Sequence, residues 1–263
     1  MTGKELLQNT DIFLLDMDGT IYLEETPIGD MKNTLRRLRD AGKKLVYCTN
    51  NSSRSPEGYV EKLKRIGFWD ERDSVYTSAI AAAVYLTTKE KGKSVYAVAT
   101  DEVKADLQDC GVVLEEENPD ICLFAYDTGV TFQKLKKFNE FLMAGKKYIV
   151  THPDTVCPAY PVPMPDVGAF IKLFECSSGR LPDVICGKPY KEMGEGLESL
   201  LHTDKSKIAM VGDRLHTDIR FANNSGFTSV LVFSGETTHE MAQKSSDKAD
   251  ISFENFNKIC DFL

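Results

Sequence analysis

The stretch Asp11-Ile-Phe-Leu-Leu-Asp-Met-Asp-Gly-Thr20 decides the fold. Ile12 to Leu15 is a short, unbroken apolar run with a β-branched and an aromatic residue. That is the pattern of a strand covered on both faces, as in a parallel sheet. Asp16 and Asp18 stand at its carboxyl end. Residues two apart in extended chain point the same way, so the two carboxylates should project together. Such a pair repels, and stays ionised only beside a cation unless one member takes a proton. A hard divalent ion, most simply Mg2+, relieves the conflict through oxygen ligands. Gly19 allows a positive φ or the close approach of a ligand, and Thr20 adds a hydroxyl. Asp and Gly are also ordinary turn residues, so this stretch alone admits a turn with two solvated acids. The end of a buried strand is, however, where α/β sheets place ligands.

Working outward, an amphipathic helix is predicted over 30–41, closed by Gly42, and then a strand over 44–48. A helix over 55–66 opens on Ser-Pro-Glu, and a strand follows at 74–77. This β-α-β-α-β order implies right-handed crossovers and a parallel sheet. The middle of the chain has its own alternation. Helices are predicted at 79–91, 102–110, 132–144 and 167–178, with strands at 94–99, 121–125 and 147–150. A strand at 183–186, a helix at 190–201, a strand at 208–211, a helix at 217–225 and a strand at 229–233 then return to the first rhythm. The fold class expected is α/β: a doubly wound parallel-sheet core, residues 1–79 and 181–263, split by an inserted α/β domain, residues 80–180.

The 263 residues are 42% hydrophobic and 27% charged, with a formal net charge of −8. That composition suits a globular protein and argues against a nucleic-acid or anionic-membrane surface. A small anionic substrate is still compatible, because a metal and one lysine reverse the sign locally. No apolar run of about eighteen residues predicts a membrane span. Seven cysteines without a Cys-x-x-Cys pair read as reduced thiols, and the N-terminal stretch lacks a signal core, so a cytoplasmic protein is expected.

Polar residues follow three further apolar segments. Thr49-Asn50-Asn51 comes after 44–48, and a hydroxyl and N–H groups at such a junction suit phosphate oxygens. They equally suit a turn that caps the next helix. Gly187-Lys188-Pro189 carries a lysine held out of helical geometry by the proline, which could neutralise phosphate or merely precede a helix. In Val211-Gly-Asp-Arg-Leu-His-Thr-Asp218, Asp213 looks like a metal ligand. Asp218 looks like its supporting partner or a helix N-terminal acid.

Taken together, Asp16-Met-Asp-Gly-Thr-Ile-Tyr, Tyr47-Cys-Thr-Asn-Asn-Ser, Thr77-Ser-Ala, Gly187-Lys-Pro, Gly212-Asp-Arg-Leu-His-Thr-Asp-Ile and Ser234-Gly-Glu-Thr-Thr238 resemble the haloacid dehalogenase-like hydrolase superfamily. Within it they are most similar to subfamily IIA, the NagD and p-nitrophenylphosphatase type. The resemblance spans nearly the whole chain and implies that the insertion is an α/β cap of the C2 type. It implies an Mg2+-dependent phosphatase acting on small phosphomonoesters, sugar phosphates or related metabolites. Asp16 would be the nucleophile and form an aspartyl-phosphate, and Asp18 the general acid and then base. Asp16, Asp213 and Asp18, the last through its main-chain carbonyl, would hold the metal. Thr49, Asn50 and Lys188 would bind the phosphoryl oxygens.

Other readings of this fold are a phosphotransferase or mutase and a phospho-accepting regulatory protein without turnover. A dehalogenase would need neither Mg2+ nor Asp18. The expected partner is a small phosphate ester, with no nucleic acid and no membrane, and a homodimer is left open. Selectivity is placed in the segment 151–168, whose prolines at 153, 158, 161, 163 and 165 restrict its backbone. Within it Asp166 either reads substrate hydroxyls or N-caps the helix over 167–178.

Overall fold

In the computed structural model, which describes residues 2–158 and 162–262, Ile12–Leu15 is buried at every position. It lies inside a six-stranded sheet in the order Ile251–Phe253, Thr228–Val232, Ile208–Gly212, Ile12–Leu15, Lys44–Thr49, Ser74–Thr77. The pairings from Ile251–Phe253 across to Lys44–Thr49 are parallel. The chain winds one way from Ile12–Leu15 through 44–49 to 74–77. It later winds the other way from 208–212 through 228–232 to 251–253. The order therefore reverses beside Ile12–Leu15, and a doubly wound sheet opens a crevice at the carboxyl ends of the strands at such a point.

The chain divides into two compact units: Met1–Thr49, Pro56–Tyr76 and Leu197–Leu263 form one, Asn50–Ser55 and Thr77–Gly196 the other. The first unit packs Phe13 and Leu15 against Met31, Leu35 and Leu38 of the helix Met31–Asp40, with Leu63, Phe68 and Phe256. Positions 31, 35 and 38 recur at helical spacing, so one stripe of that helix is buried. The second unit has its own five-stranded parallel sheet, ordered Val184–Ile185, Lys147–Val150, Ile121–Phe124, Ser94–Val98, Val113–Leu114. Phe124, Phe138, Tyr148 and Phe174 form an aromatic core there. The sequence ends the insertion at 180. In the structure Val184–Ile185 still pairs with Lys147–Val150, and this unit runs on to Gly196. No helix among the described residues is long and apolar enough to cross a membrane.

Two expectations change locally. The proline-rich segment contains a short antiparallel hairpin, Val156–Cys157 with Met164–Pro165, tolerable for proline because it is a two-stranded edge. Pro161 lies outside the described residues. Where one helix is expected over 217–225, a π-turn over Leu215–Ile219 precedes the α-helix Arg220–Ser225. Wider turns of this kind recur at functional sites.

A buried ion pair braces the first unit. Arg39 donates to both oxygens of Asp73 at 3.0 and 2.6 Å and to the Phe68 carbonyl at 2.6 Å, which also accepts from the Tyr47 hydroxyl. Asp73→Ala strands the guanidinium without its partner. It should cost about 3–5 kcal/mol of stability in denaturant unfolding; a loss under about 1 kcal/mol would mean that the pair is replaceable by water.

Candidate active site

In the first unit, the carboxyl ends of the strands Ile12–Leu15 and Ile208–Gly212 bring acids together. Ligand oxygens of Asp16, Asp213 and Asp218 all lie within 4.8 Å of one another. Asp213 and Asp218 are buried, at 2% and 0% exposure. Their positions follow from local backbone. Asp16 N–H donates to the Val211 carbonyl at 2.9 Å, extending the strand pairing to the first acid. Arg214 N–H donates to Asp218 Oδ2 at 3.1 Å, and the π-turn brings Asp218 back toward the strand end. Glu236 N–H donates to Asp213 Oδ2 at 2.6 Å, and the Thr20 hydroxyl lies 3.5 Å from its Oδ1.

Two glycines make room for Asp213. Gly19 has φ +84°, and a Cβ there would fall 2.5 Å from Asp213 Oδ2; at Gly235 the distance would be 2.0 Å. Side-chain atoms cannot approach that closely, and the positive φ at Gly19 is also costly for other residues. Gly235→Ala should therefore displace Asp213 and weaken metal binding on the order of ten- to a hundredfold, the range for groups that orient a ligand. Titration of turnover with Mg2+ would read the shift, and wild-type affinity would show that the loop relaxes freely.

Electrostatics agree with a cation site. The Asp213 carboxyl is pushed up to about 7, first by burial and then by the charges of Asp16 and Asp218, against the Glu236 N–H and Arg214. Crowded, desolvated carboxylates that hold protons near neutrality suit a hard cation with oxygen ligands. Asp18 stands apart from this group. The chain turns immediately after Asp16, and Met17 O accepts from the N–H groups of Thr20, Ile21 and Tyr22. Asp18 Oδ2 accepts from Glu24 N–H at 3.3 Å. Its pKa is raised chiefly by desolvation of the carboxyl, with Asp16 adding to the rise and the Glu24 N–H, Lys62 and Arg214 opposing it. An aspartate that keeps its proton longer than usual suits a general acid. Thr49, the last residue of the strand Lys44–Thr49, is buried at 8% exposure.

The second unit contains the other two expected phosphate binders. Lys188, at 1% exposure, is among the largest fully buried side chains. Asn50 Oδ1 accepts from Lys188 N–H at 2.8 Å, while Asn50 Nδ2 donates to the Lys188 carbonyl at 2.9 Å and to Asp154 at 3.1 Å. The Asn50 amide is thus engaged in holding the lysine, so what it could offer a phosphoryl group is its main chain. Asp166 is also in this unit, at 4% exposure. It N-caps the helix Val167–Ser178, accepting from Val167 N–H at 2.7 Å, and its Oδ1 lies 2.8 Å from His152 Nε2. That environment favours the capping role over reading substrate hydroxyls.

Sequence reasoning assigned no role to Gly235 and Glu236, to Arg214, or to His152. The signal for Gly235 and Glu236 was present, since Ser234-Gly-Glu follows an apolar strand just as Asp16 and Asp213 do. For His152 there was none.

Comparison with known proteins places these features in a family. Residues 13–113 match the haloacid dehalogenase-like hydrolase model, and residues 185–259 a HAD-hydrolase-like model. An acid sugar phosphatase of Staphylococcus haemolyticus is 31% identical over 252 residues, 95% of each chain. The structure of a 4-nitrophenylphosphatase from Thermotoga maritima superposes with a TM-score of 0.92 at 36% identity, covering 97% of this chain and 98% of that one. A p-nitrophenyl phosphatase from Archaeoglobus fulgidus gives 0.89 at 26% identity, with coverage of 97% and 99%.

Proposed function

The chain belongs to the haloacid dehalogenase-like hydrolases and is a phosphomonoesterase of that family; from this premise we propose that it hydrolyses small phosphomonoesters, sugar phosphates among them, with Mg2+ and through an aspartyl-phosphate on Asp16. The observation that carries this reading is the meeting of Asp16, Asp213 and Asp218 where the strand order reverses.

The Asp16 carboxylate attacks phosphorus as the bond to the ester oxygen breaks, and Asp18 gives its proton to the departing alcohol. Asp18, now a carboxylate, takes a proton from water as that water attacks the phosphorus. Inorganic phosphate leaves and Asp16 is restored. Asp16, Asp213 and the main-chain carbonyl of Asp18 would hold the metal, with Asp218 beside them. Bound there, Mg2+ would offset charge on the phosphoryl oxygens. Thr49, the Asn50 main chain and Lys188 bind those oxygens in this reading.

Phosphate release from sugar phosphates, glycerol phosphate, nucleoside monophosphates and p-nitrophenyl phosphate, each with Mg2+, tests the proposal. Turnover of at least one small ester is expected, and failure with every one would overturn it. Transfer of the phosphoryl group to an added alcohol in place of release would make the protein a phosphotransferase.

A further inference from the structure

A line of buried hydrogen bonds in the second unit ends on Lys188 and includes an imidazole that the chemistry above leaves without a part. Asn50 grips both main-chain groups of Lys188. The Asn50 carbonyl in turn accepts from the Ser78 hydroxyl. Ser78 Oγ lies 3.2 Å from His152 Nδ1, and Thr151 Oγ1 lies 3.0 Å from the same nitrogen. On its far side His152 Nε2 meets Asp166 at 2.8 Å. Thr151, His152 and Ser78 are each at 0% exposure, so every polar atom here must be satisfied within the protein.

The order of protons follows from the supply of donors. Asp166 Oδ1 accepts from Val167 N–H as well as facing Nε2, so Nε2 carries the proton of the ring. In the neutral imidazole Nδ1 then accepts. Ser78 has one proton and spends it on the Asn50 carbonyl, so the Thr151 hydroxyl supplies the bond to Nδ1. Thr151 Oγ1 lies 2.9 Å from Ser52 Oγ, and Ser52 Oγ accepts from Tyr126 N–H at 2.9 Å. The line runs one way, from Tyr126 N–H through Ser52, Thr151 and His152 to Asp166. Because Nδ1 is already taken by Thr151, the Ser78 proton is left for Asn50.

We propose that His152, oriented by Asp166, is a positioning residue that acts through Ser78 and Asn50 to set the main chain of Lys188. This rests on the reading that Lys188 binds the phosphoryl group. Removing the imidazole takes away the ring that lies against Ser78 and leaves a hole into which Ser78, and with it the Asn50 carbonyl it holds, can shift. The grip on Lys188 then loosens without any loss of a group that touches substrate. A misplacement of about 1 Å in such a group costs on the order of a hundredfold in rate.

The experiment measures kcat and KM for p-nitrophenyl phosphate with Mg2+, inhibition by inorganic phosphate, and Tm, in His152→Ala, His152→Asn, Thr151→Val and Lys188→Met. His152→Ala should lower kcat/KM on the order of ten- to a hundredfold and weaken inhibition by phosphate in parallel. His152→Asn should recover part of both, since its carboxamide oxygen can take the Thr151 hydroxyl. Thr151→Val should fall between, having kept the ring and its bond to Asp166. If His152→Ala folds with wild-type kcat, KM and phosphate inhibition, and only Tm falls, the inference is overturned. Should His152→Ala not fold, unchanged KM and phosphate inhibition in both His152→Asn and Thr151→Val overturn it equally. Wild-type turnover and phosphate inhibition in Lys188→Met would instead break the phosphoryl-binding reading, whatever the His152 variants do.

Discussion

Asp16→Asn should abolish turnover and leave no phosphoenzyme to trap, while Asp18→Asn should lower the rate by about a hundredfold to ten-thousandfold, the usual span for general acid–base catalysis. The two losses differ in kind. An amide at 16 cannot attack phosphorus, so neither half of the reaction begins. An amide at 18 leaves the nucleophile in place but removes the proton donor of the first half and the base of the second. The leaving group separates these roles. p-Nitrophenolate departs with little protonation, so burst formation of the phosphoenzyme in Asp18→Asn should suffer less with p-nitrophenyl phosphate than with an alkyl phosphate. Equal losses for both esters would contradict Asp18 as the acid. The wild-type pH profile should agree. The raised Asp18 pKa keeps the acid form available above the ordinary aspartate range. With an alkyl ester the rate should therefore fall as pH climbs through that raised value, and with p-nitrophenyl phosphate the limb should be weaker.

Chelation should abolish phosphate release and added Mg2+ restore it, and the metal should matter more to stability at neutral pH than in acid. The second half of this prediction follows from Asp213. Its folded pKa, about 7 without metal, lies above that of an ordinary aspartate. Between about pH 4 and 7 the metal-free folded protein holds a proton that the unfolded chain has released. Its stability from this group is greatest below about pH 4, falls as pH rises toward 7, and is level above. A cation displaces that proton, so apparent Mg2+ affinity should rise by up to about tenfold per pH unit below 7 and flatten above it. Thermal unfolding with and without Mg2+ at pH 5 and pH 8 reads this directly. A larger Mg2+ shift at pH 5, or undiminished turnover in EDTA, would remove the metal from the assignment.

Much of this was legible in the chain. The apolar run Ile12–Leu15 read as a strand covered on both faces, and the alternating segments around it implied a parallel sheet. Helices with clear stripes and caps fell close to their expected bounds: 30–41 became Met31–Asp40, and 132–144 became Phe132–Met143 behind Thr131. Other short elements were not expected. The helix Gly3–Asn9 has a Thr2–Glu5 capping box but only seven residues in which to show a stripe, and two-residue strands such as Tyr22–Leu23 and Val113–Leu114 are too short to show alternation. Short pairings take their stability from tertiary neighbours rather than from local pattern.

The sequence by itself determined which strand ends carry acids, because an apolar run followed by Asp declares both burial and charge. Only the tertiary structure decided how those acids group. Strand alternation pairs Asp16 with Asp18, but the strand stops at Leu15 and the turn at Met17 carries the Asp18 carboxyl to Glu24. Asp16 instead meets Asp213, which follows a strand paired to its own but remote in sequence, and Asp218, on the π-turn after it. Asp166 and His152 show the same limit. An aspartate ahead of a helix is a cap by local rule, and Asp166 does cap. That its carboxylate also orients a buried imidazole depended on where the chain 14 residues earlier comes to rest. Hydrogen bonds are satisfied in space, so partners chosen by packing leave no trace in local spacing.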